Sequence, residues 1–215
     1  MKVLIGCEYS GRVREAFNRR GHDAWSCDLI PSSDNSPKHI VGDVRDVVKM
    51  GGWDLAIFHP PCTYLSRAGA RWLYAGGELN EERYAKLLEA RELFMELWNA
   101  DIPQIVIENP TPFKIANLPE PTQVIQPFEY GDPYTKRTLL WIKGLTPLEP
   151  TNIVEPLGSW LPSNATGFRK GQKSQKGFSK AGDYSLTFEG IADAMGEQWG
   201  SIDRERSHPS ESGGE

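Results

Sequence analysis

Cys62 stands directly behind Pro60 and Pro61, at the end of His59-Pro60-Pro61-Cys62, and this run follows the apolar stretch Leu55-Ala56-Ile57-Phe58. Cysteine attacks through its thiolate, and the prolines fix the backbone ahead of it. Further along, Glu108-Asn109-Pro110 closes a second apolar run, Ile105-Val106-Ile107. A thiolate that adds to carbon-6 of a pyrimidine enriches carbon-5 in electrons. A carboxylic acid at the ring's N3 edge neutralises the charge that develops. Carbon-5 can then take a methyl group from a sulfonium, after which its proton and the thiolate leave. That is covalent catalysis with acid assistance. In this scheme Cys62 is the nucleophile and Glu108 the acid, and Asn109 orients the carboxyl group or the ring. The same residues also have plainer readings: Cys62 as a small core thiol, Glu108 as a surface carboxylate. His59 is a candidate base, but no partner for it is visible in the sequence. Cys7 and Cys27 read as structural thiols.

Elements that hold such residues can be read from periodicity. Val3-Leu4-Ile5, closed by Gly6, reads as a buried parallel strand. Val13, Ala16 and Phe17 give the segment 11–20 a helical stripe that Gly21 ends. A strand over Ala24 to Cys27 follows and ends at Asp28. This is the opening half of a mononucleotide-binding βαβ unit, with Asp28 placed for ribose hydroxyls. His39-Ile40-Val41-Gly42 leads to Asp43, which could reach an adenine amino group, and a short helix spans Val44 to Met50. Leu55 to Phe58 is the strongest buried-strand signal, and the prolines behind it put Cys62 in the loop at the strand's carboxyl end. Residues 63–77 read as a loop broken by Ser66, Gly69, Gly76 and Gly77. Asn80 could cap the next helix, without a capping box because Arg83 stands where the acid would be. Strands over Ile105 to Ile107 and Leu139 to Ile142 follow.

After Gly144 the chain becomes irregular, with prolines at 147, 150, 156 and 162. Arg169, Lys170, Lys173, Lys176 and Lys180 bring five positive charges with no acid between them. Thr187 to Trp199 reads as a final amphipathic helix, and residues 201–215 as a polar tail without order. The expected organisation is one catalytic domain over 1–200, with 144–186 as an irregular basic insert.

Gly6-Cys7-Glu8-Tyr9-Ser10-Gly11 is neither GxGxxG nor a Walker A loop. An acid at Glu8 would repel a pyrophosphate and favour a cationic sulfonium, which points to S-adenosylmethionine rather than NAD or ATP. The net charge of -5 argues against a broad nucleic-acid coat but leaves room for a local basic groove. Three widely spaced cysteines form no CxxC pair, and the histidines at 22, 39, 59 and 208 are scattered, so neither a zinc ribbon nor another metal site is expected. Without a signal peptide or membrane span in view, the expectation is a soluble cytoplasmic protein.

In order along the chain, these features resemble the DNA (cytosine-5) methyltransferase family, in the compact form found in phages and prophages. Pro61-Cys62 resembles its catalytic Pro-Cys motif and Glu108-Asn109 its Glu-Asn motif, with Pro110 where valine is common. Asp28 and Asp43 match its ribose and adenine acids, and Phe188 to Trp199 its C-terminal helix. The resemblance implies a Rossmann-like class I methyltransferase fold, α/β with a mostly parallel central sheet. It implies S-adenosylmethionine as cofactor, held by Gly6, Glu8, Ser10, Gly11, Asp28, Leu29, Asp43, Val44 and Pro60. Catalysis falls to Cys62, Glu108 and Arg137, with Lys136 the rival of Arg137. DNA, duplex or single-stranded, would be touched by Pro61, Ser66, Arg67, Asn109, Lys136, Arg169, Lys170, Lys173 and Lys176. Arg67, Arg71 and Trp72 sit in a loop that resembles the one closing over a flipped base. One departure is large: the family's target-recognition domain is missing, and only Gly144 to Leu186 fills its place. That implies low sequence specificity or a DNA-recognition partner. It leaves open the same chemistry on a pyrimidine nucleotide or RNA, and a non-catalytic nucleic-acid-binding module. Because His59-Pro60-Pro61-Cys62 half resembles an Asp/Asn-Pro-Pro-aromatic loop, amino-group DNA methylation also stays open.

Overall fold

The computed structural model describes residues 1–67, 72–75, 77–160 and 186–207. Its centre is a seven-stranded mixed sheet. In chain order the strands are β1 (Lys2–Gly6), β2 (Asp23–Asp28), β3 (His39–Val41), β4 (Leu55–Phe58), β5 (Tyr74–Ala75), β6 (Glu78–Leu79), β7 (Gln104–Pro110), β8 (Gln123–Ile125), β9 (Tyr134–Thr135), β10 (Thr138–Lys143) and β11 (Gly158–Ser159). The helices are α1 (Arg12–Asn18), α2 (Val44–Lys49), α3 (Glu81–Trp98) and α4 (Glu189–Ser207). The large sheet runs β3-β2-β1-β4-β7-β10-β8. Its first five strands are parallel, while β10 is antiparallel to both of its neighbours.

Both sheet faces are covered, which is why these strands read as unbroken apolar runs. Val3, Ile5, Leu55, Ile57 and Val106 face a core closed by Val13 and Phe17 of α1 and by Met195 and Trp199 of α4. Leu4, Ala56, Phe58, Ile105 and Ile107 face the opposite core with Val47 of α2 and Phe94 and Leu97 of α3. The alternation along each strand follows from the two-residue period. Trp199 is fully buried, and its Nε1 donates to the Thr146 carbonyl at 3.0 Å.

Several boundaries differ from those expected. β7 does not stop at Ile107. It continues through Glu108 and Asn109 to Pro110, because β10 pairs with it there (Leu140 with Glu108, Leu139 with Asn109). The loop expected over 63–77 contains part of a β5–β6 hairpin, turned at Gly77 with φ 92°. β11, inside the stretch read as irregular, pairs in parallel with β9 ahead of that stretch. α4 runs to Ser207, beyond the Trp199 at which its apolar stripe ends and into the segment read as a tail. Asn80 does cap α3, its side chain accepting from the Arg83 amide at 3.0 Å. No helix among the described residues is long and apolar enough to cross a membrane.

Candidate active site

Strand order reverses between β1 and β4, since β2 and β3 lie on one side of β1 and β4 and β7 on the other. In open α/β sheets the crevice at the carboxyl edge of such a switch point takes ligands. The register pairs Gly6 with Cys27 and Phe58, and Phe58 with Ile107. One residue further on, Asp28, Cys7, His59 and Glu108 therefore form a row along that edge.

His59 Nδ1 lies 3.1 Å from Glu108 Oε2, with side-chain exposures of only 10% and 15%. Facing an ionised carboxylate, Nδ1 carries the proton and donates it. Burial alone would raise the Glu108 pKa. The hydrogen bond from His59, with the charges of Lys136 and His59, outweighs burial and holds it below the ordinary 4.5. The other ring nitrogen, Nε2, is buried with no hydrogen-bond partner among the described residues. His59 thus has the partner that the sequence did not reveal.

Cys62 is half-buried, and its carbonyl accepts from the amides of Leu65 at 3.1 Å and Ser66 at 2.9 Å, closing a tight turn. Burial and then the Glu108 carboxylate raise its thiol pKa above the ordinary 9.0, while Lys136 and a backbone hydrogen bond oppose them. Thiol, carboxylate and ammonium therefore share one electrostatic neighbourhood. Lys136 is half-buried and its charge acts on both Cys62 and Glu108, while its ammonium also lies 5.8 Å from the centre of the Phe188 ring; Arg137 is exposed.

Asn109 is almost completely buried, and its Nδ2 donates to the Pro60 carbonyl at 3.0 Å. Through Nδ2 it holds the turn that carries Cys62, while its Oδ1 is buried without a hydrogen-bond partner among the described residues. Ser66 is likewise buried, bridged to Pro112, and the Arg67 amide donates to Thr111 O at 3.0 Å. These bonds tie the loop behind Cys62 to the end of β7. Pro60 is buried, while Pro61 and the Arg67 side chain are exposed. Arg169, Lys170, Lys173 and Lys176 lie outside the described residues.

On the other side of the switch point, Gly6 is packed so tightly that a Cβ would meet Phe58 at 2.5 Å and Val44 at 2.6 Å. Val44, itself buried, buttresses that turn from below. Asp28 and Asp43 converge on Cys7, whose thiol is pushed up to about 12 by burial and then by Asp28, Cys27 and Asp43. Asp43 also caps α2, accepting from the Arg45 amide at 2.9 Å. Leu29 follows Asp28 with 73% of its surface exposed, leaving an apolar face beside the two carboxylates. Among the described residues no cluster of His, Cys, Asp and Glu could hold a metal ion.

Glu8 does not face this crevice. Gly11, in the left-handed region at φ 75°, starts α1 without a side-chain cap. Glu8 supplies the missing acceptor: Val13 N donates to Oε1 at 2.8 Å, Arg14 N to Oε2 at 3.4 Å and Ser10 Oγ to Oε1 at 3.1 Å. Its charge is thus used at a helix N-terminus and gives no support to a preference for a sulfonium. Arg14, fully buried, clamps the same corner through Ser26 Oγ at 2.7 Å and through Asp34. Glu8→Ala is therefore expected to destabilise the fold by about 1–3 kcal/mol, read by urea denaturation. Unchanged stability with weakened cofactor binding would return Glu8 to the ligand.

No protein-family model matches the chain, and no curated protein matches it. Solved structures do. A prophage-encoded E. coli protein described as a DNA modification methyltransferase aligns with TM-score 0.46 and 17% identity, over 72% of this chain and 52% of its own. The Entamoeba histolytica methyltransferase EhMeth aligns with TM-score 0.46 and 15% identity, over 74% and 57%. A mutant of Spodoptera frugiperda DNMT2 aligns with TM-score 0.37 and 15% identity, over 73% and 55%. The chain thus spans little more than half the length of each of these proteins.

Proposed function

We propose that this protein transfers a methyl group from S-adenosylmethionine to carbon-5 of cytosine in DNA through a covalent Cys62 adduct. The observation that carries this reading is the His59–Glu108 hydrogen bond at the carboxyl edge of β4 and β7, with Cys62 three positions behind His59 and within the electrostatic reach of Glu108 and Lys136. The switch-point crevice suits the cofactor: a glycine floor that tolerates no Cβ, Asp28 and Asp43 for ribose hydroxyls and an adenine amine, and exposed Leu29 for the base face. When bound, S-adenosylmethionine supplies an electrophilic methyl group on a sulfonium.

The chain's own residues do the rest. The Cys62 thiolate adds to carbon-6, and negative charge moves towards the ring's N3 edge. Glu108 is held ionised and has no proton of its own to give. The proton released by the Cys62 thiol as it adds to carbon-6 is taken up by the His59–Glu108 pair, joined at 3.1 Å, and handed from the carboxyl group to N3. Lys136 stabilises the thiolate before attack. Once carbon-5 is methylated, its proton leaves to water, the double bond reopens, and Cys62 departs and regains its proton from N3 through the His59–Glu108 pair.

Intact-mass analysis of the protein with 5-fluorocytosine DNA and S-adenosylmethionine tests this. Carbon-5 then carries no removable proton, and a stable protein–DNA adduct is expected. Confirmed cofactor binding without an adduct would end the proposal. The net charge of -5 favours one second reading, the same chemistry on a pyrimidine nucleotide or RNA. Labelling of those substrates but not of DNA would select it.

A further inference from the structure

A groove of about 550 Å³ opens beside the Cys62 loop, between the β5–β6 hairpin and the first turns of α3. Tyr64, Trp72 and Tyr74 line it together with Glu82, Arg83 and Lys86. Trp72 is 58% exposed and Tyr74 47%. Of the seven tryptophans, Trp72 alone is exposed, and it stands two positions ahead of β5. The Arg83 guanidinium lies 5.0 Å from the centre of the Tyr64 ring and the Lys86 ammonium 5.8 Å. Arg83 also donates to the Thr63 carbonyl at 3.1 Å, next to Cys62 in sequence. Glu82 pairs with Lys86 at 3.0 Å. The groove is therefore lined by three aromatic rings and by two cations of α3, one of which is tied directly to the nucleophile's loop.

We infer that this groove binds an unpaired nucleobase and its phosphate, next to the base that enters the Cys62 site, on a single-stranded nucleic acid. The naming of a nucleic acid rests on the proposed function; the stacking chemistry rests on the groove. Aromatic faces bind unpaired bases of any identity, because every base has a π face. A duplex keeps its bases stacked on one another and cannot offer one to Trp72. Arg83 and Lys86 meet the adjoining phosphate, with Glu82 restraining the charge. A stacking platform also gives the substrate a hold without sequence readout.

The test is fluorescence anisotropy of short labelled oligothymidylate, oligouridylate and duplex DNA, without cofactor. Thymine and uracil keep this measurement separate from cytosine methylation. Both or either single strand should bind more tightly than duplex, and comparison of the two separates DNA from RNA. The salt slope should be shallow, about -0.7 per phosphate contact. Trp72→Ala and Tyr74→Ala should each weaken binding about 5- to 150-fold, while Trp72→Phe keeps most of it. Thermal melts check that the fold is intact. Unchanged affinity in folded Trp72→Ala, or duplex binding as tight as single-strand binding, would overturn the inference. If binding behaves as expected but no fluorocytosine adduct forms, the groove stands and the reaction falls. If the adduct forms while Trp72→Ala binds normally, the groove falls alone.

Discussion

Cys62→Ser is expected to abolish the fluorocytosine adduct and to lower methyl transfer by at least about 10³-fold, with cofactor binding unchanged. A hydroxyl in place of the thiol keeps the volume but lacks a nucleophile of comparable strength. The same thiol predicts a pH dependence. Its folded pKa lies above 9.0 through burial and the facing Glu108 carboxylate. Only a small thiolate fraction exists at neutral pH, so kcat/KM should climb about ten-fold per unit between pH 6 and 9. Lys136→Met removes the cation that opposes those two effects. It should push the Cys62 titration higher still and slow iodoacetamide alkylation of Cys62 at pH 8. Arg137→Met should leave both rates near wild type, because that side chain points to solvent. Equal effects of the two variants would return the cationic role to Arg137. Stability has its own sign: a thiol with a raised folded pKa is neutral in the folded state when the unfolded chain begins to ionise. Cys62 therefore costs stability as pH rises above 9.0.

The strands that carry this site were plain in the sequence because both sheet faces are buried, and Leu55 to Phe58 and Ile105 to Ile107 are apolar without interruption. The first polar residues behind those two runs are His59 and Glu108, and aligning the run ends places one beside the other. That alignment is the signal by which His59 was available. It needed the further fact that β4 and β7 are neighbours, which periodicity does not contain. The capping task of Glu8 was hidden for a different reason. A carboxylate beside glycines looks like a ligand contact until Gly11 proves to be a helix start with no side chain to cap it. Asn109 shows the same limit of residue type: its Nδ2 braces the turn behind Pro60, a task the sequence does not distinguish from orienting a ring. The β5–β6 hairpin was hidden because each strand is only two residues long and the glycines around it signal a loop. Lys136 and Arg137 are adjacent and alike in charge, and the sequence does not contain the difference in burial that leaves Arg137 exposed and Lys136 half-buried.

His59→Ala and His59→Gln are both expected to lower kcat by about 10²-fold, and this pair of variants decides what the imidazole does. The glutamine amide can still donate to Glu108 but carries no titrating proton. Were His59 only a brace for the carboxylate, glutamine would restore most of the activity that alanine loses. Glu108→Gln should fall by about 10²–10⁴-fold, and the double variant His59→Ala/Glu108→Gln should be no worse than Glu108→Gln alone, because one proton path runs through both groups. Stability supplies a readout separate from turnover. The folded pKa of Glu108 is depressed, so its contribution is present above 4.5 and is lost as pH falls through the folded value. Thermal midpoints measured from pH 6 down to pH 3 should therefore drop more steeply for the wild type than for His59→Ala, in which burial of Glu108 is no longer offset by its hydrogen bond. Recovery of activity in His59→Gln together with a wild-type acid slope in His59→Ala would show that the pair neither carries a proton nor holds the carboxylate ionised.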